Sequence, residues 1–316
     1  MKSDAVWDAK YKIPLLAIVG PTGVGKTDVG IFLAERLQGE IVNFDSVQVY
    51  RYLDIGTAKP TPEERQRVPH HLLDFLEPDE EFNAAKFVAL ADQAIAKLHA
   101  EGKQPILVGG TGLYLKALLH GLFEVGDVSS IREELKACLQ REGLTALYEE
   151  LKRVDPLSAQ KIPPSDRVRI LRALEVFYAT GRPFSALAQE HAFAQRRYPC
   201  LKIGLFLPRE ELYRRLDARV DKMLAAGLVE EVQALLARGF SPELKPLQAI
   251  GYRQIVAYLQ GKIPFEEAVR LIKRDTRRYA KRQLTWFRAD PEVKWFHPEE
   301  KEKILKESQR FLKRVS

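Results

Sequence analysis

Short, almost uninterrupted apolar runs alternate with longer amphipathic stretches along this chain, the arrangement of a parallel sheet covered by helices. Leu15–Val19, Glu40–Phe44 and Ile106–Val108 predict buried strands, and helical spacing over Asp28–Leu37, Ala84–Ala100 and Tyr114–Leu119 predicts helices between them. The stretch Arg51–Pro78, rich in proline and charge, predicts a loop. From about Gly126 to Arg196 the strand pattern stops, and charged helical segments follow one another, broken at Pro156, Pro163-Pro164 and Gly181-Arg182-Pro183. Strand character returns at Leu201–Leu207, followed by helices over Arg209–Ala226 and Val229–Ala237 and a break at Ser241-Pro242. The expectation is a discontinuous α/β core, residues 1–125 with 197–316, interrupted by an all-helical insertion, 126–196.

The chain has 316 residues, 46% hydrophobic and 29% charged, enough for a sizeable core. No apolar run approaches a membrane span, and the first fourteen residues mix charges with apolar residues, so the expected location is the cytoplasm and no membrane partner is expected. Cys138 and Cys200 stand apart without metal-type spacing, and the histidines are scattered apart from His70 and His71, with no partner carboxylate or cysteine recurring at ligand spacing. The net charge of +7 is unevenly spread. Between Arg270 and Arg288 stand Arg270, Lys273, Arg274, Arg277, Arg278, Lys281, Arg282 and Arg288 against the single acid Asp275. Their spacing lays the charge along one side of a helix, while Ile272, Tyr279, Ala280, Leu284 and Phe287 are placed to face a core. Such a stripe is the footprint expected for a polyphosphate backbone, although a solvated helix face would look the same.

The segment between the first strand and first helix reads Gly20-Pro21-Thr22-Gly23-Val24-Gly25-Lys26-Thr27, a full match to the phosphate-cradling loop pattern. Glycines let successive N–H groups turn inward on phosphates, Lys26 adds an ammonium, and the Thr27 hydroxyl is placed to ligate Mg2+, all at a helix N-terminus. The fold class that follows is α/β, a P-loop NTPase-like parallel sheet flanked by helices. The strand ending at Val108 runs into Gly109-Gly110 where a water-activating NTPase would place a magnesium-binding aspartate, which disfavours motor-type ATP hydrolysis.

The second strand ends on Asp45, at the same edge of the sheet as the phosphate loop, where a carboxylate can take a proton from a nucleophile, help hold a metal or cap a turn. Thr111 holds the corresponding place after the third strand, as a hydrogen-bonding group or a helix cap. Arg214, Arg215 and Arg219 lie a turn apart on a later helix, from which one can lean over the phosphate loop. Arg167, Arg169 and Arg172 form a second basic cluster in the insertion.

In order, these motifs resemble those of one family, the tRNA dimethylallyltransferases or IPP transferases. The resemblance is carried by Gly20–Thr27, by Asp45-Ser46-Val47-Gln48-Val49-Tyr50, by Asp54-Ile55-Gly56-Thr57-Ala58-Lys59-Pro60 and by Pro69-His70-His71-Leu72-Leu73-Asp74. Further along come Val108-Gly109-Gly110-Thr111-Gly112-Leu113-Tyr114, Arg172-Ala173-Leu174-Glu175-Val176, Gly251-Tyr252-Arg253 and Lys281-Arg282-Gln283-Leu284-Thr285-Trp286-Phe287-Arg288. It covers nearly the whole chain. What it implies is transfer of the five-carbon group of dimethylallyl diphosphate to the N6 amine of the adenosine 3′-adjacent to the anticodon of tRNA, with release of diphosphate; a monomer is expected.

The same resemblance implies roles residue by residue. Asp45 is the expected general base, with Thr111 positioning the base; the charge of the leaving group itself calls for Lys26 and an arginine such as Arg219. Gly20, Pro21, Thr22, Gly23, Val24, Gly25, Lys26 and Thr27 are the expected diphosphate site, with Mg2+ on Thr27. Expected to face the tRNA anticodon stem-loop are Asp45, Ser46, Val47, Gln48 and Thr111 in the core, and Arg132, Val168, Arg169, Ile170, Leu171 and Arg172 in the insertion. Gln248, Ala249, Ile250, Gly251, Tyr252 and Arg253 follow, as do Lys281, Arg282, Gln283, Leu284, Thr285, Trp286, Phe287 and Arg288. Two other classes share part of this pattern. A P-loop small-molecule or nucleoside kinase has the loop and a strand-end aspartate but no use for the basic helix or the insertion. A non-enzymatic RNA-binding module has no use for the intact Lys26-Thr27 pair or for Asp45.

Overall fold

The computed structural model describes residues 12–123 and 125–315. Strand β1 (Leu15–Val19) is buried at all five positions, as a strand covered on both faces must be. The phosphate loop leads from it into helix α1 (Lys26–Leu37), and strand β2 (Gly39–Asn43) follows. Helix α1 starts two residues before the expected Asp28, which places Lys26 and Thr27 in its first turn.

The stretch expected to be a loop contains a short helix, α2 (Pro62–Arg67), and a two-residue strand, β3 (His70–His71). A capping box explains α2: Glu64 N donates to Thr61 Oγ1 at 3.3 Å, Thr61 N donates to Glu64 Oε2 at 2.8 Å, and Pro62 occupies the first turn. Helix α3 (Ala84–Ala100), strand β4 (Gln104–Val108) and helix α4 (Gly112–His120) complete the first stretch of the core.

After the insertion the core resumes with β5 (Cys200–Leu205). Between α4 and β5 lie the four helices of the insertion, α5 (Ser129–Val154), α6 (Pro156–Lys161), α7 (Arg167–Thr180) and α8 (Phe184–His191). Helix α9 (Arg209–Ala225), α10 (Leu228–Ala237), α11 (Tyr252–Leu259) and α12 (Phe265–Arg288) follow β5. Strand β6 (Val293–Phe296) and α13 (Lys301–Val315) close the chain. The two compact units comprise residues 1–119 with 196–316, and residues 120–195.

The sheet has the order β3-β2-β4-β1-β5-β6, and every paired neighbour is parallel. The chain builds one side of β1 first and then crosses to β5 and β6 on the other. The carboxyl end of β1 is thus a topological switch point, where open α/β sheets bind ligands. Alternate residues of β1 serve the two faces: Leu15, Ala17 and Val19 join one buried cluster and Leu16 and Ile18 the other.

The helical unit has its own core, in which Leu135, Leu147 and Leu151 meet Ile170, Ala173 and Leu174. Helix α5 is broken at Gly143, whose φ of 79° and ψ of 171° no helix contains. Buried Asp155 joins α6 to α8 by accepting hydrogen bonds from the N–H and hydroxyl groups of Ser158 and Ser185. No described helix is long and apolar enough to cross a membrane.

Candidate active site

The phosphate loop is held open by its glycines and pinned from two sides. Gly23 and Gly25 have φ of 77° and 98°, a region that side chains disfavour. A Cβ on Gly23 would lie 2.6 Å from Leu216 of α9, so that helix packs directly on the loop. Lys26 Nζ donates to the carbonyls of Gly20 (3.1 Å) and Pro21 (2.8 Å), leaving one of its three protons for a ligand. Burial and the nearby Arg219 guanidinium lower its pKa to about 7, and the Asp45 carboxylate only partly opposes them. Arg219 lies one turn beyond Leu216 and makes no ion pair or hydrogen bond among the described residues; burial pushes its pKa down, and Asp45 pushes it up. Two cations therefore crowd the loop, and Arg219 has no anionic partner among the described residues.

The second pin is Gln283 of α12. Thr22 N donates to its Oε1 at 2.8 Å, and its Nε2 donates to Gly110 O at 3.1 Å, so one side chain bridges the loop after β1 and the loop after β4. A Cβ on Gly110 would stand 2.1 Å from Gln283 Nε2, which explains the glycine.

Asp45 follows β2 at the same edge. Its Oδ1 accepts from Val47 N at 2.8 Å and from Gln48 N at 3.3 Å, so the turn-capping role is real. Oδ2 has no hydrogen bond among the described residues, which leaves an acceptor for chemistry. Thr111 lies alongside, its Oγ1 accepting from Ser46 N at 3.2 Å.

Asp45, Thr22 and Arg219 open together on a cavity of about 310 Å3. Its apolar wall is built by Val47, Val220, Met223, Ile250 and Ile272, and its polar rim includes Gln248, Arg253, Tyr279 and Arg282. Another part of the wall is Gly56-Thr57, whose loop is fixed by a residue the sequence did not single out. Glu231 of α10 accepts from three successive N–H groups, those of Asp54 (2.9 Å), Ile55 (2.7 Å) and Gly56 (3.1 Å), and from Tyr252 Oη (2.5 Å). Buried Lys59 holds the same loop from the other side through Tyr50 O, Asp54 Oδ1 and Asp74 Oδ1. Gln48 Nε2 donates to the carbonyls of Thr57 and Ala58.

The stretches expected to face RNA divide into exposed and interior positions. Tyr252, Gln283 and Phe287 are buried in the core unit and Ile170 in the helical unit, so these four support a surface from beneath. Ala249, Ile250 and Gly251 line the cavity, and Gln248 Nε2 donates to Pro242 O. Lys281, Arg282, Thr285, Trp286 and Arg288 are exposed, and Leu284 is half-buried. In the helical unit Val168 is 74% exposed, Arg169 pairs with Asp166, Leu171 is half-buried, and Arg132 and Arg172 share the buried carboxylate of Glu175.

The basic stripe of α12 is also shorter than its sequence implies. Arg270 pairs with Glu267, Lys273 with Asp221, Arg277 with Asp217, and Arg274 shares Asp275 with Arg253. Among the described residues, Arg278, Lys281, Arg282 and Arg288 have no acidic partner, so the free positive charge lies in the second half of the helix.

Mg2+ on Thr27 fits the residues present. The Thr27 hydroxyl makes no hydrogen bond among the described residues and sits in the first turn of α1, and a magnesium ion held by one hydroxyl, phosphate oxygens and water needs no acidic cage. No group of three or more potential His, Cys, Asp or Glu ligands gathers among the described residues.

A phosphate-loop motif at the switch point, beside a chamber with an apolar wall and a carboxylate, places the chain in the class of phosphate-loop α/β proteins. A family model described as IPP transferase matches residues 48–290. The chain belongs to that family.

It is 54% identical over 290 residues to tRNA dimethylallyltransferase 2 of Geotalea uraniireducens, an alignment covering 91% of this chain and 93% of that protein. It is 52% identical over 288 residues to tRNA dimethylallyltransferase of Geobacter sulfurreducens, with the same coverage. The crystal structure of full-length tRNA isopentenylpyrophosphate transferase from Bacillus halodurans superposes with a TM-score of 0.72 at 42% identity, covering 96% of this chain and 97% of that one. A eukaryotic dimethylallyltransferase described as acting on tRNA gives 0.76 at 34% identity, covering 87% of this chain and 69% of that one. These likenesses support the P-loop-type α/β fold and do not favour a kinase.

Proposed function

We propose that this chain transfers the dimethylallyl group of dimethylallyl diphosphate to the N6 amine of the adenosine 3′-adjacent to the anticodon of tRNA, acting as a cytoplasmic monomer. The observation that carries the proposal is the convergence of the Asp45 carboxylate and the Arg219 guanidinium on one cavity with an apolar wall, Lys26 lying beside them.

In the reaction a bond forms from the adenine N6 to C1 of the prenyl group as the C1–oxygen bond to diphosphate breaks. The amine's lone pair is delocalised into the ring, so a base must accept its proton as the new bond forms. Asp45 Oδ2 is the acceptor in this proposal, with Oδ1 keeping the carboxylate in place through the Val47 and Gln48 amides. Negative charge collecting on the diphosphate is met by the loop amides of Gly23–Thr27, by Lys26 and by Arg219; losing one such preorganised donor costs roughly 3–4 kcal/mol of barrier. Thr27 would hold Mg2+, which adds positive charge at the phosphate oxygens when bound.

The five-carbon chain lies against Val47, Val220, Met223 and Ile272, away from water that would hydrolyse an allylic cation. An unpaired loop base enters most easily, because leaving the stack costs a few kcal/mol and costs least where pairing is absent. The exposed cations of α12 and of the insertion grip the RNA phosphates. The test is incubation of the protein with magnesium, radiolabelled dimethylallyl diphosphate and either an anticodon stem-loop or free AMP. Label in the RNA alone is the expected result; label in AMP alone, or in neither, overturns the proposal.

A further inference from the structure

Tyr279 has no part in the roles assigned above, yet it lines the same cavity as Asp45. It stands on α12 one turn before Gln283, the residue that ties this helix to the phosphate loop, so its place relative to the loop is fixed. The guanidinium of Arg282 lies over its ring, 5.7 Å from the centroid. Its hydroxyl makes no hydrogen bond among the described residues, in a cavity where Asp45 Oδ2 is likewise unengaged.

The chemistry of the two groups is opposite and complementary. Asp45 presents an acceptor, and Tyr279 presents a hydroxyl donor. Burial, with the Asp45 carboxylate nearby, pushes the Tyr279 phenol well above its ordinary range and outweighs Arg282, so it keeps its proton at any working pH. An adenine edge offers the matching pair, an exocyclic N–H donor flanked by ring nitrogens that only accept. Guanine and hypoxanthine carry an oxygen acceptor where adenine has its amine, so that oxygen would face the carboxylate.

We propose that Tyr279 is a substrate-contacting residue that selects adenine, its hydroxyl donating to one of the two ring nitrogens flanking the amine while Asp45 accepts from the amine itself. This rests on the prenyl-transfer reading, since it requires adenine in the cavity. The donation places the amine against Asp45, and it draws electron density from the ring in the direction that makes the N–H more acidic.

The experiment compares wild type and Tyr279→Phe on stem-loops whose target base is adenine, 1-deazaadenine or 7-deazaadenine, under single-turnover conditions. With adenine, Tyr279→Phe is expected to lower kcat/KM by roughly tenfold to a hundredfold, the range for leaving a neutral acceptor unpaired. With one of the two deaza bases wild type should fall by a similar factor and Tyr279→Phe should add nothing, because the same hydrogen bond cannot be lost twice. Removing a group that merely packs would lower all three substrates equally. Equal penalties on all three substrates, or no penalty on adenine, overturn the inference. Failure of wild type to label adenine at all would instead sink the prenyl-transfer reading, so the two failures are distinguishable.

Discussion

At the residue scale, the two groups that most shape the anion site are Lys26 and Gln283, and each makes a separate prediction. A free-protein pKa of about 7 means that Lys26 is largely neutral at pH 8 and charged at pH 6. A bound diphosphate favours the charged form and raises that pKa, so binding above pH 7 takes up a proton, and the uptake vanishes as pH falls below 7. Calorimetry of diphosphate binding at pH 8 in buffers of different ionisation enthalpy should show this uptake in wild type and its loss in Lys26→Met; equal uptake in both would contradict it. Gln283→Leu leaves Thr22 N and Gly110 O without partners and should cost about 1–3 kcal/mol of stability. It should also weaken diphosphate binding while stem-loop affinity without diphosphate stays within about twofold. The glycine-lysine loop and Asp45 were legible because their chemistry is written in contiguous residues. The inward direction of Gln283 was not, because its partners lie 261 and 173 residues away and a basic sequence context points outward.

At the scale of elements, the loop over Asp54–Lys59 is the clearest case of long-range support. Three convergent N–H groups form a site for an anion, and the chain fills it with its own Glu231. Glu231→Gln turns one acceptor oxygen into a donor facing donors. We expect a loss of about 2–3 kcal/mol in stability by denaturant unfolding and a severalfold rise in KM for the prenyl donor. An unchanged KM would show that Gly56-Thr57 is not a functional wall. Gly56→Ala tests the same wall by crowding, since a Cβ there would sit 2.5 Å from the Tyr252 ring, at a cost of about 1–3 kcal/mol. Glu231 left no sequence signal, being one of two adjacent glutamates in the first turn of an ordinary amphipathic helix. The short helix α2 did leave one, Thr61-Pro62-Glu63-Glu64, which the proline content of the region masked.

At the scale of the whole molecule, an α/β unit carries the phosphate loop at its switch point, a helical unit is inserted at residues 120–195, and the proposed substrate is a tRNA stem-loop. Its phosphates should be read by the unpaired cations of α12, so affinity should fall steeply with salt, and alanine at Arg278, Lys281 or Arg288 should each reduce the log–log slope by about one. Alanine at Arg270 or Lys273, already neutralised by Glu267 and Asp221, should change it little. Composition indicated a basic helix but not which half was free, because the acids that neutralise it come partly from α9, more than fifty residues away. The central claim is that Asp45 receives the proton of the attacking amine beside the phosphate loop. Asp45→Asn tests it most directly, since the amide oxygen can still cap Val47 and Gln48 while the base is gone. The single-turnover rate of prenyl transfer should fall by about a hundredfold to ten-thousandfold with stem-loop affinity within severalfold of wild type; a rate near wild type, or parallel losses of rate and affinity, would contradict it.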